Sequence, residues 1–486
     1  MLGVLFGLLG CATDPLHARR WVEVETAHFL ILSPRDDAEA VELARDLELF
    51  RSVVEVVTGS KIPPSRVPVR VFAFDGLSSY RPFSIPNMAG YFIGSMRQRT
   101  IVLGAANFRG DHGRAVLQHE YVHFLLRNRG LHAYPPWYDE GFAEFLSSVR
   151  VNGDQVEVGR PLRDRIRTLR HVAWLSLDQV LARRNFDGLD PDQVAAFYGQ
   201  SWLFVHYLQL GRSDANARSE MTQYLAALRN GSSNETAVQR GFGTDSGNLG
   251  HLLRRYYERG QFVFLSASPT AFEAGETPRS RIASASEVAR ALGELSNEIE
   301  RYDQAERYFD RALAENPVDS RAWVGQARAL AGQGLGPAAQ QRYETALALA
   351  PTDALVQLDY ARHLYEQARA SQDPGERERL ARKAREHYVQ SWKLDDQIPE
   401  TFAGYGGTFL LEGQDASRGR ETLEHAHRML PSSPEIKLLL ARLYMKLGRT
   451  EAARELALVV ATWSHSAQAE AEVQALLEEI GVSGER

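Results

Sequence analysis

Apolar and polar residues alternate along Trp21–Ser33 (WVEVETAHFLILS) and then merge into a short apolar run, the period-two pattern of one or two strands. From Asp36 to Thr58 the apolar positions recur at helical spacing, and Gly59 supplies a stop. Val67–Phe74 predicts a further strand. After a turn-rich stretch holding Pro82, Pro86 and Gly90, Tyr91–Ile93 and Thr100–Leu103 predict two short ones. Helical spacing returns over Arg114–Asn128, ahead of Gly130, and after Pro135-Pro136 over Trp137–Ser147. It continues through Asp192–Leu210 and on to about Tyr257. A small sheet followed by helices is an α+β order.

Residues 266–285 lack periodicity and are rich in Ser, Ala, Pro, Thr and Gly, which predicts an interdomain linker. From 286 to 486 the pattern is wholly helical and repeats itself. Asn316-Pro317 recurs 34 residues later as Ala350-Pro351, and Ala305, Phe309 and Ala312 align with Ala339, Tyr343 and Ala346. That spacing is the tetratricopeptide period, in which small alanines let helices approach and the aromatic fills the groove between them. A third repeat starts near Ala354 with an insertion around Ser371–Glu378, a fourth ends at Pro431, and a fifth runs through Gly448 and Ala453. Ala467–Ile480 predicts a capping helix on a stack of about five repeats. The alternative is a set of unrelated amphipathic helices.

At 486 residues the chain is long enough for two or three domains, and 44% hydrophobic with 24% charged residues is a globular composition. The net charge of -6 gives no electrostatic case for nucleic acid. No apolar run approaches the roughly 18 residues of a membrane span. A single cysteine, Cys11, rules out a disulfide framework.

The candidate chemistry lies in His119-Glu120-Tyr121-Val122-His123. On a helix, residues four apart share a face, so both imidazoles can address one ion while Glu120 stands beside them as a general base. A catalytic zinc needs three protein ligands. Sixteen residues after His123 comes Glu140, within Trp137-Tyr138-Asp139-Glu140-Gly141-Phe142-Ala143-Glu144. Glu140 and Glu144 lie one turn apart, so one can ligate while the other accepts a histidine N–H. Taken singly, either carboxylate reads as part of a solvated helix face.

The pair H-E-x-x-H and W-x-x-E-G-x-A-E resembles the gluzincin metallopeptidases, the thermolysin- and aminopeptidase-like group of the peptidase MA-like superfamily. The resemblance covers about Trp21–Gly211 and implies an α+β zincin-like domain over residues 21–265. It implies Zn²⁺ held by His119, His123 and Glu140, with Glu144 behind His119; the converse, Glu144 ligating and Glu140 behind, is the competing assignment. Glu120 would activate a water for attack on a peptide bond. Phe197-Tyr198-Gly199-Gln200 is similar to the segment in which aminopeptidases of this group place a tyrosine on the reacting carbonyl oxygen, which maps to Tyr198, although a packing tyrosine is the plain reading. His206 is a second candidate proton donor and otherwise a packed histidine. His112, His132 and His171 have no spacing that commends them. His28, in a strand that resembles the first strand of bacterial domains of this type, is expected to be structural. The strand Thr100–Leu103 is expected at the sheet edge, where it could pair with extended substrate. No G-x-M-E-N-like motif accompanies it, which leans the reading towards an endopeptidase.

Cys11 follows the apolar run Leu2–Leu9 and Gly10, and this resembles a bacterial lipoprotein signal. Residues 1–20 would then be signal and tether, with Cys11 lipidated and the protein held to the cell envelope on the periplasmic side, the outer membrane being the expected anchor. No Lys or Arg precedes the run, and a chance cysteine in an apolar segment is the alternative. The whole chain thus reads as multidomain: signal and tether, zincin-like peptidase domain, linker 266–285, and an all-α tetratricopeptide solenoid from 286 to 486. Its partners would be a peptide or protein substrate, a protein in the repeat groove, and a membrane. The alternative function is an envelope scaffold whose peptidase domain is silent or rarely used.

Overall fold

The computed structural model describes residues 16–481, except 60, 62–68, 86–89, 95–98, 105–110, 129–133, 153, 184–185, 187, 213–215, 231, 273–275, 412, 432 and 464–466. Cys11, Gly130 and His132 lie outside the described residues, as does the side chain of His112.

The N-terminal part runs β1 (Trp21–Glu25), β2 (Phe29–Ser33), α1 (Asp37–Thr58), β3 (Val69–Ala73), α2 (Leu77–Tyr80), β4 (Gly90–Gly94), β5 (Arg99–Leu103), α3 (Asp111–Asn128) and α4 (Pro136–Leu146). It continues with β6 (Arg150–Asn152), β7 (Gln155–Val158), α5 (Arg163–His171), α6 (Leu177–Ala182), α7 (Pro191–His206), α8 (Ala217–Arg229), α9 (Asn234–Phe242), α10 (Ser246–Arg259), β8 (Leu265–Ala267) and β9 (Arg279–Ala283). Local signals account for the helix ends. Asp36 caps α1 by accepting from the Glu39 N–H, and Gly59 closes it at φ 63°. Asp190 and Gln193 form a capping box ahead of Pro191 on α7.

A six-stranded mixed sheet has the order β4-β5-β3-β2-β1-β9. Its period-two pattern buries both faces. Val22, Val24, Phe29, Ile31, Val69, Val71, Ile101 and Leu103 point into a core with α1, α3 and α4. Trp21, Leu32, Phe72, Phe74 and Val102 point the other way.

Two expectations are corrected here. Thr100–Leu103 is not an edge strand: β5 pairs on one side with β3, parallel, and on the other with β4, antiparallel, so among the described residues β4 is the edge. The expected linker is not aperiodic coil. β9 pairs antiparallel with β1 from Trp21↔Ala283 to Glu25↔Arg279, and β8 joins β6 and β7 in a three-stranded sheet. Serine, arginine and a lone isoleucine suffice on an edge strand whose outer residues stay in water, so no apolar period marks it in the sequence.

The C-terminal part is helical: α11 (Ala285–Glu298), α12 (Tyr302–Glu315), α13 (Ser320–Gly332), α14 (Gly336–Leu349), α15 (Ala354–Ala370), α16 (Pro374–Leu394), α17 (Pro399–Gly407), α18 (Arg420–Met429), α19 (Pro434–Lys446), α20 (Thr450–Trp463) and α21 (Ala467–Glu479). Consecutive helices pack as pairs, and the aromatic positions enter notches left by glycine. A Cβ at Gly293 or Gly325 would meet the Phe309 ring at 2.9 or 2.2 Å, and one at Gly404 would meet Tyr388 at 2.3 Å. The helical part begins directly on the sheet. Val288, Ala291, Leu292 and Leu295 of α11 cover its second face beside Trp21, Phe72 and Phe74. The sheet thereby covers the apolar flank that a first repeat would otherwise expose. Among the described residues no helix is long and apolar enough to cross a membrane.

Candidate metal centre

The helix α3 lays Leu117, Tyr121, Val122 and Leu125 against the core, which turns His119 and His123 to its other side, towards α4. Trp137 anchors α4: its ring stacks on Phe204 at 4.6 Å and its indole N–H donates to the Tyr224 hydroxyl at 3.3 Å. Gly141 sets how closely α4 meets α7. A Cβ there would stand 2.3 Å from the Ser201 carbonyl oxygen, so only glycine lets the two helices touch at this level. The glycine of the E-G pair is therefore a packing requirement that places Glu140.

Three donor atoms converge. His119 Nε2 and His123 Nε2 are 3.1 Å apart, and Glu140 Oε2 lies 3.3 Å from the first and 3.5 Å from the second. Zinc bonds of about 2.0–2.1 Å in a tetrahedral arrangement separate neighbouring donors by about 3.3 Å. Glu140 Oε2 is fully buried and makes no well-formed hydrogen bond among the described residues despite these two nitrogens. A buried carboxylate oxygen facing two imidazole nitrogens at distances too long for good hydrogen bonds is a setting that a cation suits. His119, His123 and Glu140 are the group that could hold a metal ion among the described residues.

The electrostatics agree with that chemistry. Burial disfavours the charged form of His123, but the Asp139 and Glu140 carboxylates outweigh it and push its pKa up to about 10. Burial would raise Glu140, yet the His123 and His119 imidazoles hold it well below the usual carboxylate range. The negative potential that keeps a proton on His123 also attracts a cation.

Around the triad, the residues expected from sequence fall in different places. Glu120 is half-buried on α3. Tyr198 sits on α7, stacked on Phe186 at 5.4 Å and under the Arg165 guanidinium at 5.3 Å. Burial and then the Glu140 carboxylate, with Glu144 and Glu120 contributing, push its hydroxyl well above the ordinary tyrosine range. Glu144 Oε1 comes only within 3.7 Å of His119 Nδ1, and both its oxygens accept from Arg165 instead. His206 is away from the triad: its ring nitrogens contact the Gly159 carbonyl and the Tyr256 hydroxyl, each at 2.8 Å, inside the core. His28 pairs with Glu48 at 2.8 Å. The sequence reading missed Asp139, whose Oδ2 lies 3.1 Å from His123 Nδ1, and Arg165. Asp139 directly precedes the ligand candidate and was visible as a neighbour. Arg165 lies on another helix, and nothing in the local spacing pointed to it.

Tetratricopeptide-repeat family profiles match residues 298–354 and 410–480. The chain carries tetratricopeptide repeats in these segments. Among solved structures, a thermophilic TPR protein of Thermus thermophilus shares 22% identity over 40% of this chain and 99% of its own, with a TM-score of 0.36. PilF of Pseudomonas aeruginosa shares 20% over 40% and 84%, with a TM-score of 0.33. The Cut9–Hcn1 tetramer of the APC/C shares 14% over 63% and 53%, with a TM-score of 0.35. Comparison with curated proteins gives no match. TPR arrays in general present a surface to protein partners, and this chain carries such an array.

Proposed function

We propose that the chain is a zinc-dependent peptide hydrolase whose TPR repeats bind a protein partner. One observation carries the hydrolase half: two imidazole nitrogens and a buried carboxylate oxygen meet at mutual distances of 3.1–3.5 Å on two helices fixed by close packing. Bound by these three residues, zinc would supply Lewis acidity, lowering the pKa of a water and polarising a carbonyl. The chain's own groups do the rest. Glu120 takes the proton of the attacking water and returns it to the leaving amine. Tyr198, kept protonated by its buried and negative surroundings, donates a hydrogen bond to the developing oxyanion. The strand β4, outermost in the sheet among the described residues, is where an extended peptide would pair.

Hydrolysis of an unfolded protein substrate, abolished by a chelator and restored by zinc alone, tests this reading. Cleavage indifferent to chelation contradicts it. Lipidation of Cys11, with anchoring at the bacterial envelope, belongs to the same reading; a mature N-terminus of unmodified Cys11 in the soluble fraction contradicts that part.

A second reading rests on the tetratricopeptide-repeat family matches. In it the chain is a TPR scaffold and the N-terminal domain is a folded cap with little or no turnover. It fits those findings at least as directly. A zinc-free, folded protein that retains a stable protein partner supports it, and chelator-sensitive turnover counts against it.

A further inference from the structure

Resting on the zinc reading, we infer that the two histidines are held unequally: Asp139 is the positioning residue that fixes His123, while Arg165 diverts Glu144 from His119. The distances carry this. His123 Nδ1 lies 3.1 Å from Asp139 Oδ2 in a close but bent contact, and both side chains are buried. His119 Nδ1 lies 3.7 Å from Glu144 Oε1, beyond hydrogen-bonding range. Glu144 is engaged elsewhere. Arg165 Nε donates to its Oε2 at 3.0 Å, and Arg165 Nη2 donates to its Oε1, the same oxygen that faces His119.

A forked guanidinium matches a carboxylate in two parallel bonds, the strongest pairing open to Glu144 in this setting. Arg165 is itself held from below by the Tyr198 ring at 5.3 Å. An imidazole that ligates through Nε2 is oriented, and made more basic, by an acceptor at Nδ1. Asp139 offers His123 a carboxylate in close contact. An oxygen shared with a guanidinium offers His119 little. His123 is therefore the anchored ligand, and the hierarchy runs opposite to the sequence expectation that placed the supporting carboxylate behind His119.

The test is the zinc dissociation constant, measured by competition with a chelator, for the wild-type chain and for Asp139→Asn, Glu144→Gln and Arg165→Gln, with thermal unfolding of each metal-free protein alongside. Asp139→Asn is expected to weaken zinc about 10- to 100-fold and Glu144→Gln less than about threefold. Arg165→Gln is expected to bind zinc at least as tightly as wild type, because Glu144 is freed to reach His119. A purely structural role for Arg165 would instead weaken binding in step with lost stability. Losses from Glu144→Gln equal to or larger than those from Asp139→Asn overturn the inference, as does weakened binding in Arg165→Gln. Should Asp139→Asn not fold, the order of the other two variants decides alone. A wild-type chain that takes up no zinc overturns the zinc reading, and this inference with it.

Discussion

Arg70 on β3 and Glu294 on α11 form an ion pair where the sheet meets the first helix of the C-terminal part. Their side chains are 20% and 11% exposed, and Arg290 adds a second guanidinium to Glu294 at 2.9 Å. Burial alone would raise the Glu294 carboxyl, but the two guanidiniums outweigh it and hold it at about 2. A carboxyl depressed in the folded state stabilises the fold above its ordinary value of 4.5, and that stability is lost as pH falls from there towards about 2. Acid titration is therefore expected to loosen the sheet–repeat contact across this window, followed by limited proteolysis between the two parts. Arg70→Gln leaves Glu294 with a single partner and is expected to cost about 3 kcal/mol in denaturant unfolding at neutral pH.

Gly141→Ala tests how Glu140 is placed. The new methyl would lie 2.3 Å from the Ser201 carbonyl oxygen, so α4 must move off α7. A loss of about 2–3 kcal/mol is expected, with weakened zinc binding although no ligand has changed. Unchanged binding would show that Glu140 reaches the centre without this packing.

Within the repeats, Phe309→Ala should open a cavity between α11 and α13, where Gly293 and Gly325 receive the ring. A cost of about 3–5 kcal/mol is expected, read by thermal unfolding. Since α11 also covers the sheet, the loss should spread into the N-terminal part and appear as one broad cooperative change rather than an isolated repeat transition.

Zinc uptake should release a proton. In the metal-free chain the Asp139 and Glu140 carboxylates raise the His123 imidazole above its ordinary value, against the effect of burial, and a ligating nitrogen must be free of its proton. Affinity is expected to rise by about tenfold per pH unit while one proton competes. Calorimetry in buffers of different ionisation enthalpy checks both sign and count.

Much of this arrangement was legible in the residues. The i, i+4 histidines, the E-G pair on the following helix and the 34-residue recurrence each encode a local geometry, and local geometry survives folding. Non-local features were hidden. The strand β9 lacks an apolar period because its exposed edge needs none, and it reaches β1 across more than 250 residues of chain. The strand β5 looked like an edge because the pairing of Gly90–Gly94 along its flank is a tertiary fact. Arg165 reaches Glu144 from a separate helix, and no spacing rule connects them. The seating of α11 on the sheet is absent from any single repeat, whose pattern says only that one face must be covered.

The most direct measurement compares zinc per chain and hydrolysis of an unfolded protein substrate in the wild type and in Glu120→Gln. One zinc in each protein, with turnover in the wild type falling by several orders of magnitude in the variant, is the expected result. Equal turnover in both, or no zinc in a folded wild-type chain, would contradict the account.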